Sequence, residues 1–261
     1  MIKHKSYCHY YFIMQSKVID SLISYAKEND YEIKNVTVGV TWTCVLSKYC
    51  GVSMTYNTGN EDLDVKGFGH LEEKRVGELA EYLRSWNLLE ASVGLAAINS
   101  VIEPKGNTEA NGLDVALEIG KGKKIVMIGK FPGLQKFKEV AKEFIVLELN
   151  PFLIDPSQGI LPSTAAETVI EDAQVVIITA TTIINKSIDR LLELSRRANA
   201  YVILIGPSTP MLDLMFDFGV NVLAGMKVNR PYSFIKKISQ GCGMVNPSKL
   251  EGDVSFIIRT R

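Results

Sequence analysis

The chain has 261 residues, 46% of them apolar, enough for one large domain or two modest ones. Its 29 basic residues balance 29 acidic ones, so no global field draws it to nucleic acid or to a membrane surface. No apolar run approaches the roughly 20 residues that span a bilayer. Cys8, Cys44, Cys50 and Cys242 are scattered without a CxxC pair, which suits a reducing cytoplasm better than a disulfide framework.

Residues 1–13 have no clear period and lack the apolar core and cleavage site of a signal peptide. A helix is expected over 16–27 with Ser16 as N-cap. Met14 stands just before it, so residues 1–13 read as an extension or, alternatively, as an ordered N-terminal strand. Residues 36–40 read as a strand, followed by Thr41-Trp-Thr-Cys-Val45, with Gly51-Val-Ser-Met-Thr55 as its partner; 57–64 is turn-forming. Helical patterns then cover about 71–84 and 88–101, the second with Leu89, Val93, Ala96, Ala97 and Val101 on one side. Hairpin strands followed by helices make a small α+β unit. Asn99, near the end of the second helix, is either a helix-terminal group or a ligand contact. Residues 103–111 read as a linker, which divides the chain into 14–105 and 106–261.

Beyond the linker, strands and helices alternate. Strand 124–128 ends at Gly129-Lys-Phe-Pro-Gly133, a helix runs to about 142, strand 144–149 ends at Asn150-Pro151, and a helix covers 163–170. The apolar run 175–178 meets Thr179-Ala-Thr-Thr182, and a helical pattern carries Ile184, Ile188, Leu191, Leu192 and Leu194. A second apolar run, 201–205, stops at Gly206-Pro-Ser-Thr-Pro210. Apolar runs without alternation suit strands buried on both faces, which are usually parallel. A helix over 211–218, a strand over 220–223 and a last helix over 231–239 complete a sheet of at least five strands, all read as parallel.

Five loops then gather at one sheet edge: 129–133, 149–155, 179–185, 206–210 and 225–229. Open α/β sheets bind ligands there. The loops are rich in Gly, Pro, Thr, Ser and Asn; their amides and hydroxyls suit a phosphate, a carboxylate or a polar cofactor edge, with plain turn chemistry as the alternative. The dinucleotide fingerprint G-x-G-x-x-G is absent, but Glu148 ends its strand about where an acid would meet a ribose. There is no G-x-S-x-G elbow and no H-E-x-x-H. The soft donors outside residues 1–13 are Cys44, Cys50, Cys242 and His70. Thiolates suit heavy metals, although a lone cysteine is more often a small core residue.

Gly129-Lys-Phe-Pro132, Glu148-Leu-Asn-Pro151, Thr179-Ala-Thr-Thr-Ile-Ile-Asn185, Gly206-Pro-Ser-Thr-Pro210 and Phe218-Gly-Val with Leu223-Ala-Gly225 fall in an order that resembles the "putative heavy-metal chelation" domain family. Val38-Gly-Val-Thr-Trp-Thr43, Gly51-Val-Ser53 and Gly94-Leu-Ala-Ala-Ile-Asn99 resemble the amino-terminal domain that accompanies it. The resemblance covers about residues 16–243. It implies an α/β protein in which a Rossmann-like parallel-sheet domain follows a smaller, enolase-amino-terminal-like α+β domain, with a site in the cleft between them.

The expected function is binding of a small molecule or metal complex in that cleft, with heavy-metal chelation or cofactor handling as its form. The alternative is an enzyme using S-adenosylmethionine or a nicotinamide, and a third reading is a scaffold with an empty cleft. The expected ligand contacts are Gly129, Phe131, Pro132, Glu148, Asn150, Thr179, Thr181, Thr182, Asn185, Gly206, Ser208 and Thr209, with Thr43 and Asn99 from the first domain. Oxygen donors from these loops suit a harder cation or an organic ligand; the thiols and His70 suit a soft metal. A metal ion is the candidate cofactor. Neither nucleic acid nor membrane is expected as a partner, a homo-oligomer is allowed, and the expected location is the cytoplasm.

Overall fold

The computed structural model describes residues 16–56, 64–108 and 111–261. The expected extension, 1–13, lies outside the described residues. Helix α1 (Lys17–Glu28) begins at Ser16, whose hydroxyl accepts from the Ile19 amide at 3.2 Å. The helix buries Val18, Ile19, Leu22, Ile23 and Ala26, the spacing of one helical face. The same Ser16 hydroxyl donates to the Asp189 carboxylate, tying the start of this helix to the far half of the chain.

An antiparallel meander follows: β1 (Asn35–Val38), β2 (Trp42–Leu46) and β3 (Cys50–Met54), in that order across the sheet. Helix α2 (Val76–Ala80) is flanked by short 3₁₀ turns at Leu71–Glu73 and Glu81–Arg84, where sequence periodicity suggests one continuous helix. Arg75 causes the break. Its backbone is extended and bridges Glu32, and the next amide, of Val76, donates to Tyr31 O at 3.0 Å. Helix α3 (Leu88–Asn99) is buried from Ala91 through Ile98. It is pressed on two sides by backbone. A Cβ at Gly94 would come 2.2 Å from Leu83 N, and one at Gly51 would come 2.1 Å from Ala96 O.

The larger sheet takes up the rest of the chain. Its elements are α4 (Gly112–Gly120), β4 (Lys124–Ile128), α5 (Leu134–Val140), β5 (Glu143–Glu148), β6 (Ile160–Pro162), α6 (Ala166–Val169), β7 (Val175–Thr179), α7 (Thr181–Ile184), α8 (Ile188–Arg197), β8 (Tyr201–Ile205), α9 (Leu214–Asp217), β9 (Val222–Val228), α10 (Pro231–Ser239) and β10 (Val254–Thr260). Seven strands lie in the order β10-β9-β8-β7-β4-β5-β6. Counted from β4, the six parallel strands run 3-2-1-4-5-6, the doubly wound order, and the direction of winding reverses between β4 and β7.

Three expectations are corrected here. The sheet is not wholly parallel, because β10 pairs antiparallel with β9 along seven residues, Val254 through Thr260. Strand β9 runs on through Ala224, Gly225 and Met226 to Val228, held there by β10, so the expected loop at 225–229 is mostly strand. The helix after β7 is broken at Asn185–Ser187, where Lys186 takes φ 65°.

Both faces of the parallel strands are covered, which is why their sequences do not alternate. Val126, Ile128, Val176, Ile178, Val202 and Leu204 share a core with α1 and α3. Ile125, Met127, Ile177, Ile203 and Ile205 join Phe137 on the opposite face. A third cluster, with Cys44, Val52, Met226, Phe234 and Ile238, packs the meander against β9 and α10. The meander is thus sandwiched between α3 and the carboxy-terminal half. Among the described residues, no helix is long and apolar enough to cross a membrane.

Candidate functional site

Strand β3 and the end of α3 meet the loop after β8. The Met54 amide donates to Ser208 Oγ at 2.9 Å. Asn99 Nδ2 donates to Val52 O at 2.9 Å and to Ser208 O at 3.0 Å. Both partners are carbonyl oxygens, which can only accept, so the amide orientation is fixed by its contacts. Asn99 Oδ1 therefore faces the other way, where it is buried with no hydrogen-bond partner among the described residues. Buried polar atoms are nearly always satisfied, so an orphaned oxygen calls for an explanation. Asn99 lines a cavity of ≈ 20 Å³ together with Cys50, Val52, Thr209, Met211 and Met226. That volume holds one water or a bare ion, given the ~10–15 Å³ a water needs.

Two thiols meet at this seam. In the β2–β3 register Cys44 lies opposite Val52 and Leu46 opposite Cys50, so the two cysteines are diagonal neighbours on one face of the meander. Cys44 is fully buried and Cys50 half-buried on the cavity wall. The neighbouring Cys50 thiol, with burial, pushes the Cys44 thiol well above its ordinary range. Cys242 packs against the same cluster and donates to Met244 O at 3.5 Å. His70 is exposed and pairs with Glu73 at 2.8 Å. Of the four expected soft donors, the structure joins two. Among the described residues, no three of His, Cys, Asp or Glu gather into a group able to hold a metal.

The other predicted residues lie around the reversal between β4 and β7. Gly129, at φ 84°, abuts Thr179: a Cβ there would come 2.9 Å from Thr179 Cγ2. The hydroxyls of Thr179 and Thr181 are 3.0 Å apart and part-buried. Glu148 is already engaged. Its carboxylate accepts from the Lys130 amide at 3.0 Å, the Leu149 amide at 2.8 Å and the Asn150 amide at 2.9 Å. These three amides orient the carboxylate at the end of β5. Asn150 accepts from the Phe152 amide at 3.1 Å, Phe131 packs on the core, and Pro132 is exposed.

Several predicted contacts have local partners. Thr182 is buried and donates to Thr179 O at 2.7 Å. Asn185 Oδ1 accepts from the Ser187 amide at 3.1 Å and the Ser187 hydroxyl at 2.7 Å, an Asx turn that leads into α8. Thr43 is buried and shares a 2.9 Å hydrogen bond with Thr55. Gly206 turns at φ 124° and donates to Ala224 O at 3.0 Å. Thr209 donates to Ala224 O at 3.0 Å while its residue lines the cavity. The predicted set thus splits between the seam (Asn99, Ser208, Thr209) and the strand reversal (Gly129, Glu148, Asn150, Thr179, Thr181).

Sequence reasoning missed Met211 and Met226, which line the cavity beside Cys50. Their only signal was position next to strand-end loops. It also missed Lys186. This lysine is buried, donates to Ile184 O at 2.7 Å and lies 5.6 Å from the Trp86 ring centroid. Burial pushes its pKa down to about 8.

A doubly wound sheet joined to a small antiparallel unit, with a buried seam of amide, hydroxyl and sulfur groups between them, defines a two-part α/β protein. The comparisons place it more closely. A family described as "putative heavy-metal chelation" matches residues 111–256, and a companion of the same description matches 19–102. The chain belongs to that family, DUF364. An uncharacterized protein of Methanocaldococcus jannaschii is 28% identical over 217 residues, covering 77% of this chain and 81% of that one. A crystal structure of a DUF364 protein of unknown function from Desulfitobacterium hafniense superposes with a TM-score of 0.80 at 24% identity, covering 94% of this chain and 98% of that one. One from Pyrococcus horikoshii gives 0.76 at 22% identity, covering 94% and 99%. At these identities the two structures speak for the fold alone.

Proposed function

We propose that the protein binds a metal ion, or a small metal complex, at the seam between an enolase-amino-terminal-like unit over about 14–105 and a Rossmann-like unit over 106–261. One observation carries the reading: Asn99, whose Oδ1 is buried without a partner among the described residues, lines a cavity of ≈ 20 Å³ together with Cys50 and Thr209. An oxygen acceptor held rigid by two hydrogen bonds on its own nitrogen is a pre-oriented ligand atom. The cavity suits a bare ion better than a nucleotide or a tetrapyrrole. That size does not favour the nucleotide-cofactor alternative. In this reading the protein works in the cytoplasm without nucleic acid.

A thermal-shift panel of metal ions, nucleotides and tetrapyrroles tests it. A ligand at 100 times its Kd adds about 2.7 kcal/mol of stability. The expected result is a shift with metal ions that is lost in Asn99→Ala and in Thr209→Val but kept in Glu148→Gln. A panel in which no metal ion raises the melting temperature refutes the reading.

A further inference from the structure

We propose that Cys44 and Cys50 take up one soft, low-coordination cation as a bis-thiolate, with the Met226 and Met211 thioethers on the wall around it. This inference rests on the seam reading above and names the class of metal. The donors set that class. The two thiols share one face of the meander by register. Cys50, Met211 and Met226 line the same cavity, and Cys44 packs in one cluster with Met226. Thiolate and thioether sulfur select soft ions, whereas imidazole and carboxylate groups suited to borderline or hard ions are not gathered here among the described residues. A zinc ion would want four ligands.

Charge points the same way. The thiols sit among Val52, Phe234 and Ile238, where an unpaired thiolate is costly. A dication bound by two thiolates is neutral overall. Uptake breaks two S–H bonds and makes two S–metal bonds, and both protons leave to solvent. No electron changes hands, so no oxidant or reductant is needed.

Reach favours a bridging ion over a disulfide. Diagonal neighbours in an antiparallel pair have Cα atoms roughly 7–8 Å apart. A disulfide usually needs less than about 6.8 Å. A bridging metal adds two bonds of about 2.3 Å each in place of one S–S bond, and so spans the longer gap.

The test is a titration of the reduced full-length chain with mercuric chloride against a competing small dithiol, reading free thiols and thiolate-to-mercury absorption. The expected result is one mercuric ion consuming two thiols per chain at high affinity, retained in a Cys8→Ser/Cys242→Ser variant. Cys50→Ser and Cys44→Ala should each weaken it about 100-fold or more. Cys50 is half-buried, so its variant should stay folded even if Cys44→Ala does not; melting curves report on both. Thiols that titrate independently, one ion per thiol, overturn the proposal, as does unchanged affinity in Cys50→Ser. Manganese and zinc arms separate the two readings. A shift with either ion that depends on Asn99, beside failed mercury pairing, keeps the seam as a metal site and removes the thiol pair from it.

Discussion

Replacing Lys186 by Met should make the protein more stable at neutral pH. Lys186 is 8% exposed, and its ammonium finds a backbone carbonyl and the Trp86 ring in place of a carboxylate. Burial lowers its pKa from 10.5 to about 8. Carrying the charge in the folded state therefore costs about 3 kcal/mol at pH 7. Methionine has a similar length and unbranched shape, fills the same space and carries no charge. Removing the amine leaves Ile184 O without this donor, at a cost of about 1 kcal/mol. The net gain should be about 2 kcal/mol, or roughly 4–8 °C in melting temperature for a chain of this size.

The pH dependence gives the sharper test. The unfolded state holds the extra proton between about pH 8 and 10.5, so wild-type stability on this account rises with pH across that window. Other groups titrate there too, and the difference between variant and wild type isolates the lysine. Urea unfolding at several pH values should show the advantage of Lys186→Met shrinking above pH 8 and vanishing or reversing near 10.5. A variant less stable at pH 7, or a difference flat with pH, would refute the account of an uncompensated buried amine.

Four further outcomes are expected. Asp253→Ala should cost about 1–2 kcal/mol by urea unfolding, because it strips a buried carboxylate from Ser233 and from the more exposed Lys237 and Arg230. Burial pushes this carboxyl's pKa up, but its hydrogen bonds from Lys237 and Ser233 and the Arg230 charge outweigh that and hold it below 3.8. Its stabilisation is therefore present above pH 3.8 and lost as pH falls through the lower folded value, so the variant should be less sensitive to acid. Gly51→Ala should cost about 3 kcal/mol in thermal or urea unfolding, since its methyl would meet α3 backbone on two sides. Ser208→Ala should cost about 1–2 kcal/mol by leaving the Met54 amide without its acceptor. Asn185→Ala should cost about 1 kcal/mol while metal-induced thermal shifts persist, because its side chain serves the turn into α8.

The parallel core was legible because burial on both faces leaves a plain mark. Runs such as those at β4, β7 and β8 carry four or five apolar residues in a row and stop at small polar ones. Ser16 as the first N-cap was legible for the same local reason. What failed depended on distant partners. Arg75 splits the expected helix because Glu32, far back in sequence, pulls it into a bridge. Strand β9 runs past Gly225 because β10 arrives to pair with it.

The seam shows where such reading stops and what replaces it. Asn99 and Ser208 were visible as polar residues at element ends; that the Asn99 amide would donate to the Ser208 carbonyl was not. The meeting of Cys44 and Cys50 depends on something finer, the register of β2 on β3. A slip of one residue would leave Cys50 on the opposite face from Cys44, since side chains alternate with a period of two. Gly51 forbids that slip. Its position faces α3, where a Cβ would lie 2.1 Å from Ala96 O and 2.2 Å from Ser100 N. Any other residue turned to that face at that height would push the helix away. With Gly51 against α3, Cys50 must face the other way, toward Met226 and α10, and Cys44 two residues from its opposite number must join it. A glycine with no chemistry of its own therefore decides where the thiols stand.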